Sequence, residues 1–183
     1  TNYEEKIWAR AKKCGRIPYT KGDEQRMRLY FKQRFFSWLD SYDIYGEDGQ
    51  TLFTVEGKLS WGHKLEIYNS AREYMGRIQE EVFTFLPRFR MYVGEDYIGD
   101  ICKEFTFFRP AFTLECNGWQ IQGDFLEWDY SITDGQGNDV AKVSKQIWNW
   151  TDTYTIEVYD PVNALFSLMI VLAIDAAKCS DGK

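Results

Sequence analysis

The stretch DPVNALFSLMIVLAIDAAKC, residues 160–179, determines how the rest of the chain must fold. Asp160 can accept hydrogen bonds from the first free backbone N–H groups of a helix. Pro161 suits the first helical position because its missing N–H would have no partner there. These signals predict a C-terminal helix at about 162–178.

The predicted helix is apolar around almost its whole circumference. Between Ala164 and Ile174 the only polar side chain is Ser167, a pattern typical of a helix surrounded by protein or lipid. This run of about 11 residues ends at Asp175, whereas a helix that crosses a bilayer needs about 20 apolar residues. We therefore expect a helix enclosed by the protein, and a chain that is not transmembrane.

Composition and charge favour one acidic globular domain. The chain has 183 residues, of which 44% are hydrophobic and 17% aromatic, enough for a sizeable core. Its net charge is −6, but residues 1–26 hold 7 Lys/Arg and 4 Asp/Glu, which leaves 15 against 24, or −9, from Met27 onward. Because like charges repel, we expect no nucleic-acid partner and no broad anionic membrane footprint.

The cysteine and histidine content argues against a metal site. The four cysteines are widely spaced without a C-x-x-C pair, and the chain has a single histidine. We therefore expect neither a metal nor a cofactor. The sequence contains no secretory signal, so reduced thiols and a cytoplasmic location are the simplest expectation, with a position peripheral to a membrane as the alternative.

The first 26 residues differ from the rest. Tyr3–Lys13 is basic and could form a short helix, and glycines and a proline follow it. We predict an N-terminal extension at 1–26, helical in part, and a main domain at 27–183.

Short runs rich in aromatic and β-branched residues, separated by Gly, Asp and Asn, occupy most of the main domain and are typical of strands and turns. Five strand–turn–strand units follow one another, and each is predicted to be a hairpin. An opening run and a closing run bring the total to about 12 strands. The hairpins cover 42–55, 65–78, 90–101, 113–123 and 130–143, and the two further runs cover 29–36 and 154–159.

A sheet of about 12 strands would have long exposed edges unless it closed on itself. A barrel of about 8 strands is filled by its own side chains, while one of about 16 leaves an open lumen. A helix with its side chains, about 10–12 Å across, would fill a barrel of intermediate size. The sequence therefore predicts a mainly β fold, a closed antiparallel β-barrel of about 12 strands around the central C-terminal α-helix.

Several motifs occur in order along the chain: MRLYFKQRFFSW at 27–38, DIY and DG within 43–49, FTFLPRF at 83–89, GDF at 123–125, VAKVSK at 140–145, DTYTI at 152–156, and the apolar helix. In this order they resemble the bacterial and archaeal branch of the LURP-one-related family, from Met27 to about Cys179. The resemblance implies the tubby C-terminal-like fold, with phospholipid scramblases as distant relatives. It implies no enzymatic activity. It carries across none of the phosphoinositide-binding positions of tubby proteins, and residues 1–26 lie outside the pattern.

Strand parity points to outward-facing basic residues. Arg88 and Arg90 alternate with apolar residues in one predicted strand, as do Lys32 and Arg34 in another. Outward cationic pairs can hold a phosphate or a carboxylate. These four residues are the candidate anion ligands, and the alternative is that they only protect a strand surface.

Asp175 and Lys178 form a further candidate polar site on the helix. If the helix end emerges at the mouth of the barrel, Asp175 is solvated or paired with Lys178, three residues on. If Asp175 lies inside, its desolvation demands a partner and makes it a site candidate. We expect the first arrangement.

No catalytic residue is predicted. The sequence has no Gly-x-Ser-x-Gly motif with a serine that His63 could activate, so His63 is expected to be a solvated turn residue. The acidic stretch at 134–139 lacks the spacing of an EF-hand and is expected to be a hairpin turn. Carboxylates that could suggest sugar chemistry or sugar binding lie near two tryptophans, but acidic residues beside strands are what an acidic barrel surface must contain, and this is the interpretation we prefer. They are Asp124, Glu127 and Asp129, near Trp119 and Trp128.

These observations order the functional hypotheses. The first is a non-catalytic binding or scaffold domain that meets an unknown protein partner through its outer surface, because the helix occupies the lumen. The second is a peripheral membrane protein that binds phosphoinositide or phospholipid headgroups. The third is an enzyme that uses carboxylates at the barrel rim on a small polar substrate.

Overall fold

The computed structural model describes residues 26–32, 41–104, 111–115, 118–125, 127–148 and 151–180. The predicted extension at 1–26 lies outside these residues except for Arg26, and so does Arg34. For Lys32 the backbone alone is described.

Within the described residues, twelve strands form one antiparallel sheet, as the alternating runs predict. The strands are short and twist around a common axis, in keeping with the β-branched and aromatic residues that fill them. They are β1 Met27–Lys32, β2 Ser41–Tyr45, β3 Thr51–Lys58, β4 Lys64–Asn69, β5 Tyr74–Glu80, β6 Arg88–Val93, β7 Asp96–Glu104, β8 Ala111–Glu115, β9 Gln120–Asp124, β10 Asp129–Thr133, β11 Asp139–Trp148 and β12 Thr151–Val158.

The sheet is nearly closed, with one seam. Its strand order is β8-β7-β6-β5-β4-β3-β2-β1-β12-β11-β10-β9, so the two edge strands are β8 and β9. They approach within 8 Å, Cα to Cα, but share no ladder in the described part of the chain. The ring of Phe112, on β8, and the ring of Phe125, the residue after β9, are both buried and meet edge to face with their centres 5.1 Å apart. Side-chain packing therefore joins the two edges of the barrel.

The seam corrects one predicted hairpin. The unit at 113–123 reads as strand, turn, strand, but β8 pairs with β7 and β9 pairs with β10. The physical reason is closure: a sheet that curls on itself brings its first and last edges together, and here these edges belong to strands that are consecutive in sequence.

Alternation along the strands puts apolar side chains inside the barrel. In β6, Phe89 and Met91 are buried at 1% and 0% exposure, while Arg88 and Arg90 point outward. The predicted alternation of buried and outward-facing side chains in this strand is confirmed.

The C-terminal helix begins as its capping signals predict. The carboxylate of Asp160 accepts a hydrogen bond from the backbone N–H of Val162 at 3.0 Å, and a 3₁₀ turn covers Pro161–Asn163. The α-helix α1 then runs over Ala164–Ser180.

The helix α1 is enclosed by the sheet. Every residue from Leu168 to Ile174 is at most 1% exposed, and seven consecutive residues cover about two helical turns in all directions. The segment Pro161–Lys178 is long and apolar enough to cross a membrane, but 72% of it is buried inside the protein. The predicted central helix is confirmed.

The two ends of the barrel carry different connections. In an antiparallel barrel alternate connections lie at the same end. We call the end with GEDGQ at 46–50, SARE at 70–73, GE at 94–95 and DGQGN at 134–138 the turn end. We call the end with LSWGH at 59–63 and EVFTFLP at 81–87 the loop end. Since α1 follows β12, it starts at the turn end and finishes towards the loop end.

Candidate functional site

The loop at 59–63 is hydrogen-bonded to the last residue of β5, Glu80, after which the loop at 81–87 begins. The loop at 59–63 connects β3 to β4, and the loop at 81–87 connects β5 to β6. The carboxylate of Glu80 contacts His63 Nδ1 at 2.6 Å and accepts from the backbone N–H of His63 at 2.9 Å. The backbone N–H of Glu80 donates to the carbonyl of His63 at 2.7 Å. The His63 side chain is only 17% exposed, so the expectation of a solvated turn residue is wrong.

The loop at 81–87 is also held from within. The hydroxyl of Thr84 donates to the carbonyl of Glu81 at 3.0 Å, and the N–H of Glu81 donates to the carbonyl of Arg88 at 2.8 Å. The N–H of Lys103, on β7, donates to the carbonyl of Pro87 at 2.9 Å. These bonds fix the loop to the strands on both sides of it.

Four large apolar side chains project from these loops, and we call them the apolar tips: Leu59, Trp61, Phe83 and Phe85. Their exposures are 89%, 84%, 97% and 92%, in the same order. Phe83 has a positive φ of 72°, a conformation that is costly for a side chain of this kind. Together they give the loop end a set of exposed apolar side chains that a partner could remove from water.

Charged residues beside the apolar tips are paired with each other. Lys58 contacts Glu56 at 2.7 Å and Glu66 at 3.6 Å, and Arg90 contacts Glu81 at 2.7 Å. The tips are therefore flanked by locally balanced charge rather than by a field of one sign.

The candidate anion ligands are not brought together. Arg88 and Arg90 both lie on the outer face of β6, but Lys32 lies on β1, five strands away in the sheet order. Arg34 lies outside the described residues.

The two outward arginines are engaged within the chain. Arg88 contacts Asp100 at 3.3 Å and Glu115 at 3.6 Å, and Arg90 contacts Glu81. An external anion would have to compete with these carboxylates. Anion binding by Arg88 and Arg90 stays a prediction, and their geometry favours the protective role.

Asp175 is buried, which corrects the expectation that it is solvated at the barrel mouth. Asp175 is 4% exposed, because the part of α1 that carries it still lies within the barrel. Burial raises the pKa of Asp175 to about 7, and the charge of Lys178 opposes that rise. The carboxyl group is thus close to the balance between its neutral and charged forms at neutral pH.

Lys178 is only half-buried and faces a different set of groups. Its ammonium donates to the carbonyl of Phe125 at 2.7 Å and lies 4.0 Å from the ring centre of Trp128. The hydroxyl of Tyr130 is buried without a hydrogen-bond partner among the described residues. Burial, and then the charge of Asp175, raises the pKa of Tyr130 well above its ordinary value. The contacts of Lys178 therefore fasten the helix end to the connection between β9 and β10.

Of the carboxylates weighed for sugar chemistry, Asp124 has a structural role, and both tryptophans beside them pack on other rings. Trp128 is 4% exposed and packs on Tyr154 with ring centres 4.2 Å apart, while Trp119 packs on Phe166 at 4.8 Å. Asp124 accepts a hydrogen bond from the backbone N–H of Glu127 at 3.2 Å. Because its ring is buried, Trp128 cannot serve as an open stacking platform.

The loop at 134–138 is a hairpin turn, as its sequence predicts. The carboxylate of Asp134 accepts from the backbone N–H groups of Gln136 and Asn138, both at 2.8 Å. Hydrogen bonds from Asn138 lower the pKa of Asp134. In the part of the chain that the structure describes, no group of three His, Cys, Asp or Glu side chains is placed to hold a metal ion.

A shallow depression of about 410 Å³ lies on the outer face of β4 and β5. Its central cation, Arg77, donates to Glu95 at 2.8 Å and to the Tyr74 hydroxyl at 3.1 Å, and stacks 3.9 Å from the ring centre of Tyr92. The depression is lined by side chains that already satisfy one another, so the apolar tips are the stronger candidate for a binding surface.

Sequence reasoning missed the apolar tips. A usable signal was present: Trp61, Phe83 and Phe85 lie between strands, where the other end of the barrel has Gly, Asp, Glu and Asn. The solvent exposure of Phe83 and Phe85 could not be predicted from the sequence, because Phe89 occurs in the same short stretch and lies in the core.

The model of the LURP-one-related family matches residues 27–175. The chain is 30% identical over 156 residues to the uncharacterised protein YxjI of Bacillus subtilis (strain 168). The aligned region covers 85% of this chain and 96% of that relative. Its fold is similar to the X-ray structure of a protein from Arabidopsis thaliana, with a TM-score of 0.62 and 16% sequence identity. That likeness covers 85% of this chain and 93% of the plant protein.

Proposed function

We propose that this chain, which belongs to the LURP-one-related family, is a non-catalytic binding domain that acts through its outer surface, at the apolar tips of the loop end. The observation that carries the proposal is the burial of α1. Barrels that bind small molecules commonly do so in the lumen, and here the lumen holds the chain's own helix.

The loop end is the best-supported binding surface because the loops that carry its exposed apolar side chains are hydrogen-bonded before any partner arrives. The hydrogen bonds between Glu80 and His63, and those within the loop at 81–87, reduce the entropy that binding would otherwise cost. A cytoplasmic location with peripheral contact to other cell components belongs to the same proposal.

Headgroup recognition through the basic residues has less support. Arg88 and Arg90 are paired with carboxylates, and Lys32 is remote from them in the sheet. An enzyme that uses rim carboxylates has less support as well, because Asp124 and Asp134 serve turns.

The test uses the full chain as bait in an extract of its native cells, with captured proteins and lipids identified by mass spectrometry. The test variant combines Leu59→Ser, Trp61→Ser, Phe83→Ser and Phe85→Ser. The matched control combines Gln50→Ser and Gln136→Ser, at exposed positions of the turn end. Thermal unfolding of all three proteins checks that each is folded.

We expect the wild-type chain and the control to capture a common molecule that the test variant does not retain. Capture of the same set of molecules by all three proteins would contradict the assignment of the loop end.

A further inference from the structure

We propose that the apolar tips insert into the interfacial region of a phospholipid bilayer, and that this contact does not depend on lipid charge. The inference rests on the proposed function, since it names the partner of the same surface. Leu59, Trp61, Phe83 and Phe85 carry it.

The shape of the surface favours a bilayer over a protein. Each tip is 84–97% exposed, so the four side chains project singly and do not pack into one flat patch. A protein interface of ordinary strength has a closely packed, fully desolvated core, which would require a fitted pocket for each projecting tip. A lipid surface flows around separate side chains and needs no such fit.

The residue types suit the boundary between headgroups and acyl chains. Tryptophan is enriched at that depth because its ring is apolar while its indole N–H can reach water, and phenylalanine and leucine supply apolar area below it. Trp61 lies on one loop, and Phe83 and Phe85 lie on the neighbouring loop at the same end of the barrel. Both loops can therefore meet one plane together.

The charges around the tips specify the kind of lipid. Lys58 is paired with Glu56, and Arg90 with Glu81, so these two neighbouring cations are already balanced and do not favour an anionic headgroup. The whole chain carries a net charge of −6, which opposes an anionic surface at long range. Association driven by apolar insertion should thus occur on zwitterionic lipid and vary little with salt.

The internal contacts of the loops keep the tips exposed in water. The bonds between Glu80 and His63 fix the end of the shorter loop to the end of β5, and the bonds at Thr84 and Pro87 fix the longer loop to itself and to β7. The helix α1 takes no part in this contact and stays in the lumen.

The experiment is flotation of the full chain with vesicles of pure phosphatidylcholine, and in parallel with vesicles that also contain anionic phosphatidylserine, each at about 50 mM and about 500 mM NaCl. Wild-type protein should float at both salt concentrations, with partition coefficients that differ less than about twofold. Phe83→Ser and Phe85→Ser should each lower the partition coefficient about tenfold, the factor expected when one aromatic side chain no longer enters the apolar phase. The Gln50→Ser, Gln136→Ser control should float like the wild-type chain.

Three results would overturn the inference: no flotation on phosphatidylcholine, flotation only with anionic lipid and only at low salt, or equal flotation of the wild-type chain and the tip variants. If the chain does not float with vesicles, but its capture of a protein from the extract depends on the apolar tips, the bilayer is rejected as the partner and the proposed function stands. If neither depends on the tips, both are rejected.

Discussion

Replacing Asp175 by asparagine should remove a pH dependence of stability that this one buried carboxyl group creates. The pKa of Asp175 is about 7 in the folded chain, against the ordinary value of 3.8. Below about pH 4 the group is protonated in both states, so its contribution to stability is fully present. As pH rises towards 7 the unfolded chain ionises first and stability is lost.

The size of this loss follows from the two pKa values. A difference of about 3 between folded and unfolded states corresponds to about 4 kcal/mol, reached once the pH exceeds 7. The asparagine side chain cannot ionise, so Asp175→Asn should have nearly wild-type stability at about pH 4. At about pH 8 it should be more stable than the wild-type chain by up to about 4 kcal/mol.

The assay is urea unfolding of both proteins, followed by tryptophan fluorescence, at intervals from about pH 4 to about pH 8. Taking the difference between the two free energies of unfolding at each pH cancels all other titrating groups. A Lys178→Gln variant should move the midpoint of the wild-type profile upward, because Lys178 holds the pKa of Asp175 down. A difference that does not change with pH would refute the assignment of a neutral, buried Asp175.

Three further substitutions test the packing of the barrel. Val171→Asp should lower the free energy of unfolding by more than about 4 kcal/mol or prevent folding, since it buries an unpaired charge at a residue that is 0% exposed. In the same urea unfolding assay Gln136→Asp, on an exposed turn, should be nearly neutral. Wild-type stability of Val171→Asp would contradict the enclosed helix. Gly76→Ala should cost about 2 kcal/mol or more, because a Cβ at this position would collide with the carbonyl of Tyr92 and lie 2.6 Å from Met169 of α1. Gly135→Ala is its control, since its nearest neighbour would be at 3.5 Å, and equal melting temperatures of the two variants would argue against close packing there. Arg90→Ala should change the free energy of unfolding by less than about 1 kcal/mol, because its pair with Glu81 is largely exposed; a larger loss would mean that the pair is structural.

The strands and the central helix could be predicted because their signals are local. Alternation of apolar and polar residues marks each strand, and Asp160 with Pro161 marks the start of the helix. A barrel of about 12 strands has a lumen, and the apolar helix is the element of the chain that can fill it. The prediction of the strands, the helix and the barrel requires no knowledge of which strands pair with each other.

The seam, the burial of Asp175 and the apolar tips could not be predicted from the sequence. The first two depend on contacts between residues far apart in sequence, and the third depends on where the strands of one hairpin end. β8 and β9 are consecutive yet lie at opposite edges of the sheet. Asp175 is buried inside a barrel whose strands, such as β10 with Tyr130, lie far earlier in the chain. Phe83 and Phe85 resemble core residues until the ladder between β5 and β6 places them beyond the strands.

Hydrogen exchange by mass spectrometry, with and without phosphatidylcholine vesicles, tests the central claim that the helix is core and the loop end is the binding surface. Amides in Leu168–Ile174 should exchange only through global unfolding in both conditions. Added vesicles should change protection only in the loops at 59–63 and 81–87. Faster exchange of the helix amides when vesicles are present, with unchanged loops, would mean that α1 leaves the lumen for the membrane and would contradict the account.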